Sequence, residues 1–423
     1  MSDIVVRKEN PRTIKADQLQ PGDQPFGWRI ETVIGCTLNK RASVGKVKQQ
    51  RYKKQGKYPI VDQSQKLIAG FWDQEEDVYK GNLPVVVFGD HTRIVKYIDF
   101  PFVCGADGTR ILIPDTQIVF PLFLYYSLLF IDIPSRGYNR HYSLLKDRAL
   151  RLPPLPEQKS IAVVLSAIQE SKERTKQVIG ALRELKTSLM KHLFDFGPVR
   201  LEEIGKVNRR ETEVGLIPKT WKITKISDVV ENTPYVNARR PLSMKFRYVD
   251  VSSVNNVSLK IELTATYEGR KAPSRARKWI KNGDVIIATV RPTLKRIALI
   301  GPDLDGQICS TAFCVLRANS GAMDNKYLFY AIQRDAFIEN LGKLQRGASY
   351  PAVTDKDVKS QKIPLPDPSD QLQISLILSA LDERIAQEEK KAETLAQLFQ
   401  SMLHYLMTGI VRVNHLKLEV GHG

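Results

Sequence analysis

The chain has 423 residues, 42% hydrophobic and 26% charged, with a formal net charge of +18. That length exceeds one ordinary domain, and the apolar fraction suits packed cores rather than a disordered chain. Residues 1–150 carry +6 of the charge and residues 201–362 carry +11, so the basic excess sits in two long segments and points to a polyanionic partner.

In chain order, the N-terminal MSDIVVRKENPR has no apolar core and is not read as a signal peptide. YPIVD, LPVVVFGD and TRIVKYI then predict short strands. Ile118 to Ile133 is the most apolar run, but Pro121 and Asp132 interrupt it. It is too short to span a membrane and is read as a buried helix. Pro153, Pro154 and Pro156 mark a stop, with Glu157 placed to favour a helix start. Beyond it, steps of four and three select Ile161, Leu165, Ile168, Lys172, Thr175, Ile179, Leu182, Lys186, Leu189 and Leu193. This is a heptad seam. FRYVDVSS, DVIIATV and RIALIG predict strands in a second globular segment. Pro364, Pro366 and Pro368 form a second stop, ahead of Asp370. A second seam follows: Ile374, Leu378, Leu381, Ile385, Glu388, Ala392, Leu395, Phe399, Met402 and Leu406.

The two halves are a tandem duplication. Pro25-x-x-Trp28-x-Ile30 matches Pro218-x-x-Trp221-x-Ile223. Val85 to Val87 matches Val285 to Ile287. Phe123 to Leu128 matches Tyr327 to Ile332. Arg136-Gly137 matches Arg346-Gly347, Lys146-Asp147 matches Lys356-Asp357, and Leu165 to Ile168 matches Leu378 to Leu381. The offsets rise steadily, 193, 200, 204, 210 and 213, as a duplication with insertions requires. The expected fold is therefore α+β, a mixed unit followed by a long helix, twice over. The divisions are 1–152, a helical 153–197, 198–363, a helical 364–411, and a tail, 412–423. Helices of equal length with matching seams are expected to pair as an antiparallel coiled coil, about 55–60 Å long at 1.5 Å per residue.

Cys36, Cys104, Cys309 and Cys314 form no C-x-x-C pair, and no histidine completes a metal set, so they read as free thiols of a reducing cytosol. No glycine-rich cofactor loop, Walker loop or Asn/Asp-Pro-Pro-aromatic motif is present. Pro114-Asp115 with Glu157-Gln158-Lys159 imitates a nuclease carboxylate set, but Glu157 opens a helix and its copy, Asp370-Gln371-Leu372, lacks the lysine. No catalytic or metal-binding residue is assigned.

Phosphate contact needs Lys and Arg, and base reading needs Arg, Asn, Gln or Lys on loops. In the first segment the densest stretch is RASVGKVKQQRYKKQGK, 41–57, with Arg41, Lys46, Lys48, Gln49, Arg51, Tyr52, Lys53 and Lys54. Arg93 and the RGYNRHY run, with Arg136, Tyr138, Asn139 and Arg140, join them. In the second segment the candidates are Arg239, Arg240, Arg275, Arg277, Lys278, Arg291, Lys295, Arg296, Arg346 and Tyr350. The duplicated Arg-Gly pairs are equally readable as a shared turn before the helix.

LPPLPEQKSIAVVLSAI, with ALRELKTSLMKHLF, resembles the central conserved region of HsdS, the specificity subunit of type I restriction–modification systems. IPLPDPSDQLQISLILSALDERI, with LFQSMLHYLMTG, resembles its distal copy. GLIPKTWKITKISDVV resembles the start of the second target-recognition domain. The resemblance covers essentially the whole chain. It implies two target-recognition domains, each reading half of a bipartite site in double-stranded DNA. It also implies that the conserved helices space the domains and dock two methyltransferase subunits. S-adenosylmethionine is then expected in those subunits, with no cofactor in this chain, and a translocating endonuclease subunit joins for restriction. Asp367, Ser369 and Asp370 replace Pro154, Pro156 and Glu157, so the two docking surfaces are expected to differ. The rival readings are a single-chain nuclease or methyltransferase, and an architectural coiled-coil protein without sequence preference.

Overall fold

The computed structural model describes residues 25–38, 45–134, 137, 139–239 and 243–413. They form two compact units: residues up to Lys176 together with those from Lys390 onward, and residues Gln177–Glu389. No helix among the described residues is long and apolar enough to cross a membrane.

In the first unit a four-stranded sheet runs in the order Lys46–Val47, Val103–Gly105, Tyr58–Val61, Gly70–Trp72. A three-stranded sheet runs Val95–Ile98, Val85–Gly89, Thr109–Leu112. The second unit repeats the plan. One sheet is ordered Ala265–Glu268, Lys245–Val249, Gln307–Ser310, Ala276–Ile280. The other is ordered Val230–Glu231, Phe313–Ala318, Val285–Ala288, Ile297–Leu299. The central pairing is parallel in both, Ile60 beside Val103 and Tyr248 beside Ile308. A further antiparallel pair closes each unit, Arg29–Thr32 with Ala149–Leu152 and Lys222–Lys225 with Lys362–Leu365. Pro364 lies in that last strand, ahead of the helix it was expected to announce.

The apolar run becomes the helix Pro121–Phe130, burying Phe123, Leu124, Tyr126 and Leu128. Pro121 does not interrupt it but occupies its first turn, where no amide hydrogen is needed. The long helices run Leu155–Phe196 and Pro368–Thr408. Both end at a left-handed glycine, Gly197 (φ +83°) and Gly409 (φ +73°), a conformation that side chains resist.

Each core draws on both helices. In the first unit Ile161, Ala162 and Leu165 pack with Phe399, Leu403, Leu406 and Met407 against Trp28, Phe123 and Leu145. In the second, Ile374 and Leu378 pack with Leu193 and Phe194 against Trp221, Tyr327 and Leu328. Every seam position of both helices is buried or half-buried. The pairing is antiparallel: within the second unit Arg183 reaches Glu389 at 2.8 Å while Lys186 reaches Asp382 at 2.7 Å. The polar seam residues have defined roles. Lys172 lies 5.2 Å over the Phe399 ring. Lys186 covers Tyr330, whose hydroxyl donates to Asp382 at 2.8 Å.

The helix starts are clamped alike. In the first unit buried Gln158 accepts from Phe120 N at 2.8 Å and donates to Ile118 O and Pro153 O. Gln371 accepts from Asp324 N at 2.9 Å and donates to Ala322 O and Pro366 O. The preceding acid takes a tryptophan N–H in each: Trp28 to Glu157 at 3.2 Å, Trp221 to Asp370 at 3.1 Å. They then differ. Glu157 also holds Arg412 through two bonds of 2.7 and 2.8 Å, and Arg412 lies 5.5 Å over Trp28. Burial alone would raise the Glu157 pKa, but Arg412 and Trp28 bring it below the usual carboxylate range. For Asp370 burial prevails and the pKa is raised.

A depressed folded-state pKa means stability that is present above the ordinary carboxylate range and lost as pH falls through the folded value. Arg412→Ala should therefore destabilise the first unit by about 3 kcal/mol at neutral pH, because it strands a buried carboxylate. The deficit should shrink in acid, where the wild type also loses the pair. Thermal unfolding of both proteins at neutral and acidic pH checks this; a deficit that does not change with pH contradicts it.

Candidate nucleic-acid interface

In each unit three backbone hydrogen bonds tie four chain segments side by side. In the first, Ala106 N donates to Val47 O (2.7 Å), Asp90 N to Gly108 O (2.6 Å) and His141 N to Asp90 O (2.8 Å). In the second, Thr311 N donates to Arg275 O (2.9 Å), Thr289 N to Ala312 O (2.8 Å) and Val353 N to Thr289 O (2.9 Å). These ladders gather candidate segments that lie far apart in sequence: 46–54 with 139–140, and 275–277 with 291–296 and 346–350.

The segment at the outer edge is not a duplicate. Lys46–Val47 precedes the central strand of its sheet and pairs parallel to Val103–Gly105. Ala276–Ile280 follows the central strand of its sheet and pairs antiparallel to Gln307–Ser310. The same sheet edge is thus filled from a different point in the chain, in the opposite direction. Even so, Lys46 Nζ donates to Thr109 O at 3.1 Å and Lys278 Nζ to Phe313 O at 2.6 Å, the first residues of corresponding strands.

Not every expected contact is free for DNA. Lys278 is corrected: it is buried, bonded to Phe313 O and paired with Asp355. Burial opposes its charge, but Asp355 outweighs that and its pKa is raised. Arg296 donates to Val251 O and Val254 O, and Arg93 to Ile133 O, so both brace backbone. Arg346 grips Asp357 with bonds of 2.8 and 3.3 Å. Two of the duplicated anchors, Arg346 and Asp357, are therefore bonded to each other, and the Arg346 bond holds the Asp357 carboxyl far below its usual range. Lys295 pairs with Asp335 and Lys53 with Asp73. Tyr52, half-buried, donates to Asp62, and burial raises its pKa.

Exposed positions remain. Lys48, Gln49 and Lys54 carry no side-chain bond among the described residues, and Arg51 lies 4.9 Å over the Trp72 ring. Asn139 and Arg140 are exposed beside buried His141. Arg239 donates to Ala272 O and Arg277 to Ser274 O. Arg275 is exposed, and Arg291 lies 5.5 Å over the ring of Tyr350, which is 74% exposed. Arg41, Arg136, Tyr138 and Arg240 lie outside the described residues. Sequence reasoning missed Tyr235, exposed with Lys278 5.3 Å over its ring, and it missed Arg412, which it left in a tail.

The residues that imitate a nuclease do not form a metal site. Glu157 is taken up by Arg412 and Trp28. Among the described residues no group of three His, Cys, Asp or Glu is arranged to hold a metal. All four cysteines are buried thiols; burial pushes Cys36 up to about 12 and Cys104 to about 11.

A family model described as the type I restriction modification DNA specificity domain matches residues 218–397. The type I restriction enzyme MjaVIII specificity subunit of Methanocaldococcus jannaschii is 25% identical over 316 residues, 71% of this chain and 72% of that protein. The crystal structure of the S subunit from M. genitalium is similar over 90% of this chain and 96% of that one, with a TM-score of 0.61 at 15% identity, a likeness of fold. The HsdS subunit from Thermoanaerobacter tengcongensis is 42% identical with a TM-score of 0.38; that match covers 44% of this chain and about half (48%) of the other. The fold is that of a duplicated, helix-paired specificity subunit. Residues 218–397 are thus similar to the type I restriction–modification DNA specificity domain, and about seven tenths of the chain is similar to a specificity subunit.

Exposed and buried lysines should separate cleanly in experiment. Lys48→Ala with Lys54→Ala should flatten the log–log salt dependence of DNA affinity by about 2 units, since each phosphate contact contributes about 0.9. It should leave the melting temperature unchanged. Lys278→Ala should do the reverse, costing about 2 kcal/mol by leaving the buried Phe313 carbonyl and the half-buried Asp355 carboxylate unpaired. Titrations at several salt concentrations and thermal unfolding read both; a full salt slope in the double variant excludes these lysines as phosphate contacts.

Proposed function

We propose that this chain is the DNA-specificity subunit of a type I restriction–modification complex, with each globular domain reading one half of a bipartite site. The chain itself is non-catalytic. Methyltransferase subunits docked on the long helices bind S-adenosylmethionine and transfer the methyl group, and restriction subunits join the same assembly. It works where prokaryotic DNA is, in the cytoplasm.

The observation that carries this reading is the duplicated scaffold with unlike edges. Sheet order, parallel centre, helix clamp and ladder recur in both units, while the cationic edge strand does not. One docking plan with two unlike surfaces suits a protein that binds two different sequences in the same manner. An architectural coiled coil has no use for that difference.

Exchanging residues 211–362 for the corresponding domain of another family member should change one half-site in the methylation map of host DNA. The other half-site should persist. If both change, or neither, the domains are not independent readers.

On the same reading the helices set the gap. Seven residues inserted between Lys172 and Lys186 keep the seam in phase. They add roughly 10 Å at 1.5 Å per residue. At about 3.4 Å per base pair, the non-specific gap should lengthen by up to about three pairs with both half-sites intact. An unchanged gap with activity retained would show that something else sets the distance.

A further inference from the structure

We propose that Arg291, held against Tyr350, is the side chain through which the second unit selects a guanine in its half-site. The proposal rests on the reading of that unit as a half-site reader, and it names the reading residue.

The other cations on this face are largely committed. Lys278 is buried, Arg296 holds two carbonyls, Arg346 is forked onto Asp357, and Lys295 pairs with Asp335. Arg239 and Arg277 each donate to a nearby backbone carbonyl. Arg291 differs. Its guanidinium lies over the Tyr350 ring, and its only side-chain bond among the described residues runs from Nη2 to Ser349 O at 3.3 Å. The ring contact and that one bond restrain the group and leave the rest of its N–H fork unspent. That fork matches guanine O6 and N7 in the major groove, which is the commonest specific protein–DNA contact.

The backbone shows that this placement is imposed. Arg291 and Lys295 have φ of +48° and +53°, left-handed values at either end of the turn Pro292–Leu294. Side chains other than glycine resist that region. The chain is held there by Arg291 N donating to Pro351 O at 2.7 Å and by the bridge of Val290 to Ala352. A turn built for stability would carry glycine at such a position. Strain kept at an exposed arginine is the pattern of a functional site. Exposed Arg275 stands two ladder bonds away, placed to neutralise a phosphate beside the reader.

The test uses the full chain in complex with its methyltransferase partners. Arg291→Gly removes the side chain and relieves the backbone, so the variant should melt no lower than the wild type. In the methylation map the first half-site and the gap should persist. One G·C position of the second half-site should lose discrimination by about tenfold or more. Arg291→Lys should relax the same position, because an ammonium is a point charge without a fork. Tyr350→Ala should relax it more weakly. An intact motif in Arg291→Gly overturns the proposal. So does a uniform fall in methylation across all sites without any change in motif, the signature of a phosphate contact. A marked loss of thermal stability in Arg291→Gly would instead assign the residue to the fold. Exchange of residues 211–362 separates the two levels. If that exchange changes no half-site, the half-site reading itself fails; if it does and Arg291→Gly is silent, only the assignment of Arg291 fails.

Discussion

A buried glutamine at the start of each long helix is the contact on which the rest of each unit depends. Gln158 and Gln371 each make three hydrogen bonds, one received from a backbone amide far back in the chain, Phe120 or Asp324, and two given to backbone carbonyls. Buried polar groups of this kind are costly when half satisfied and directional when complete. Three bonds in different directions leave the helix one way to leave the domain. The acid beside each glutamine adds a tryptophan indole, tying the opening strand to the same point. A helix launched at a different angle would break these bonds and pull its first two seam residues out of the core.

The seam then does a second task. Near the helix starts it packs on the domain, Ile161 and Leu165 in one unit, Ile374 and Leu378 in the other. Farther along it meets the other helix. Purely apolar residues would allow the pair to slide by a heptad. Lys186 between Asp382 and Tyr330, and Lys172 over Phe399, make particular registers better than their neighbours. This is the part polar residues play at coiled-coil interfaces.

The duplication, the helices and their seams were legible in the sequence, since each is a periodic or repeated signal. The strand order was not. The central parallel pairs join Tyr58–Val61 to Val103–Gly105 and Lys245–Val249 to Gln307–Ser310, non-local choices that no single stretch encodes. The basic stretches were visible, but their division into surface and structural cations was not. Lys278 sits in GRKAPSRARK among exposed arginines, and only the fold reveals that Asp355 lies above it. Arg346 looked like a DNA contact until its partner Asp357 came into view. The repeat carried a hint here: Arg-Gly and Lys-Asp recur together in both halves, as bonded partners should.

The edge strands are where the two units differ most. A core strand cannot be replaced without repacking, because its side chains meet neighbours on both faces. An edge strand is bound on one side, so a segment of different origin and direction fits if it offers the right backbone and one suitable side chain. The two units show both solutions. Lys46–Val47 runs parallel and Ala276–Ile280 antiparallel, yet each sends a lysine ammonium to the first carbonyl of the corresponding strand in the second sheet. That carbonyl accepts a bond in each unit whichever way the strand arrives. With this one contact satisfied, the rest of the edge is free to vary. Variation in what the protein reads can then accumulate beside a helix clamp and core that stay the same.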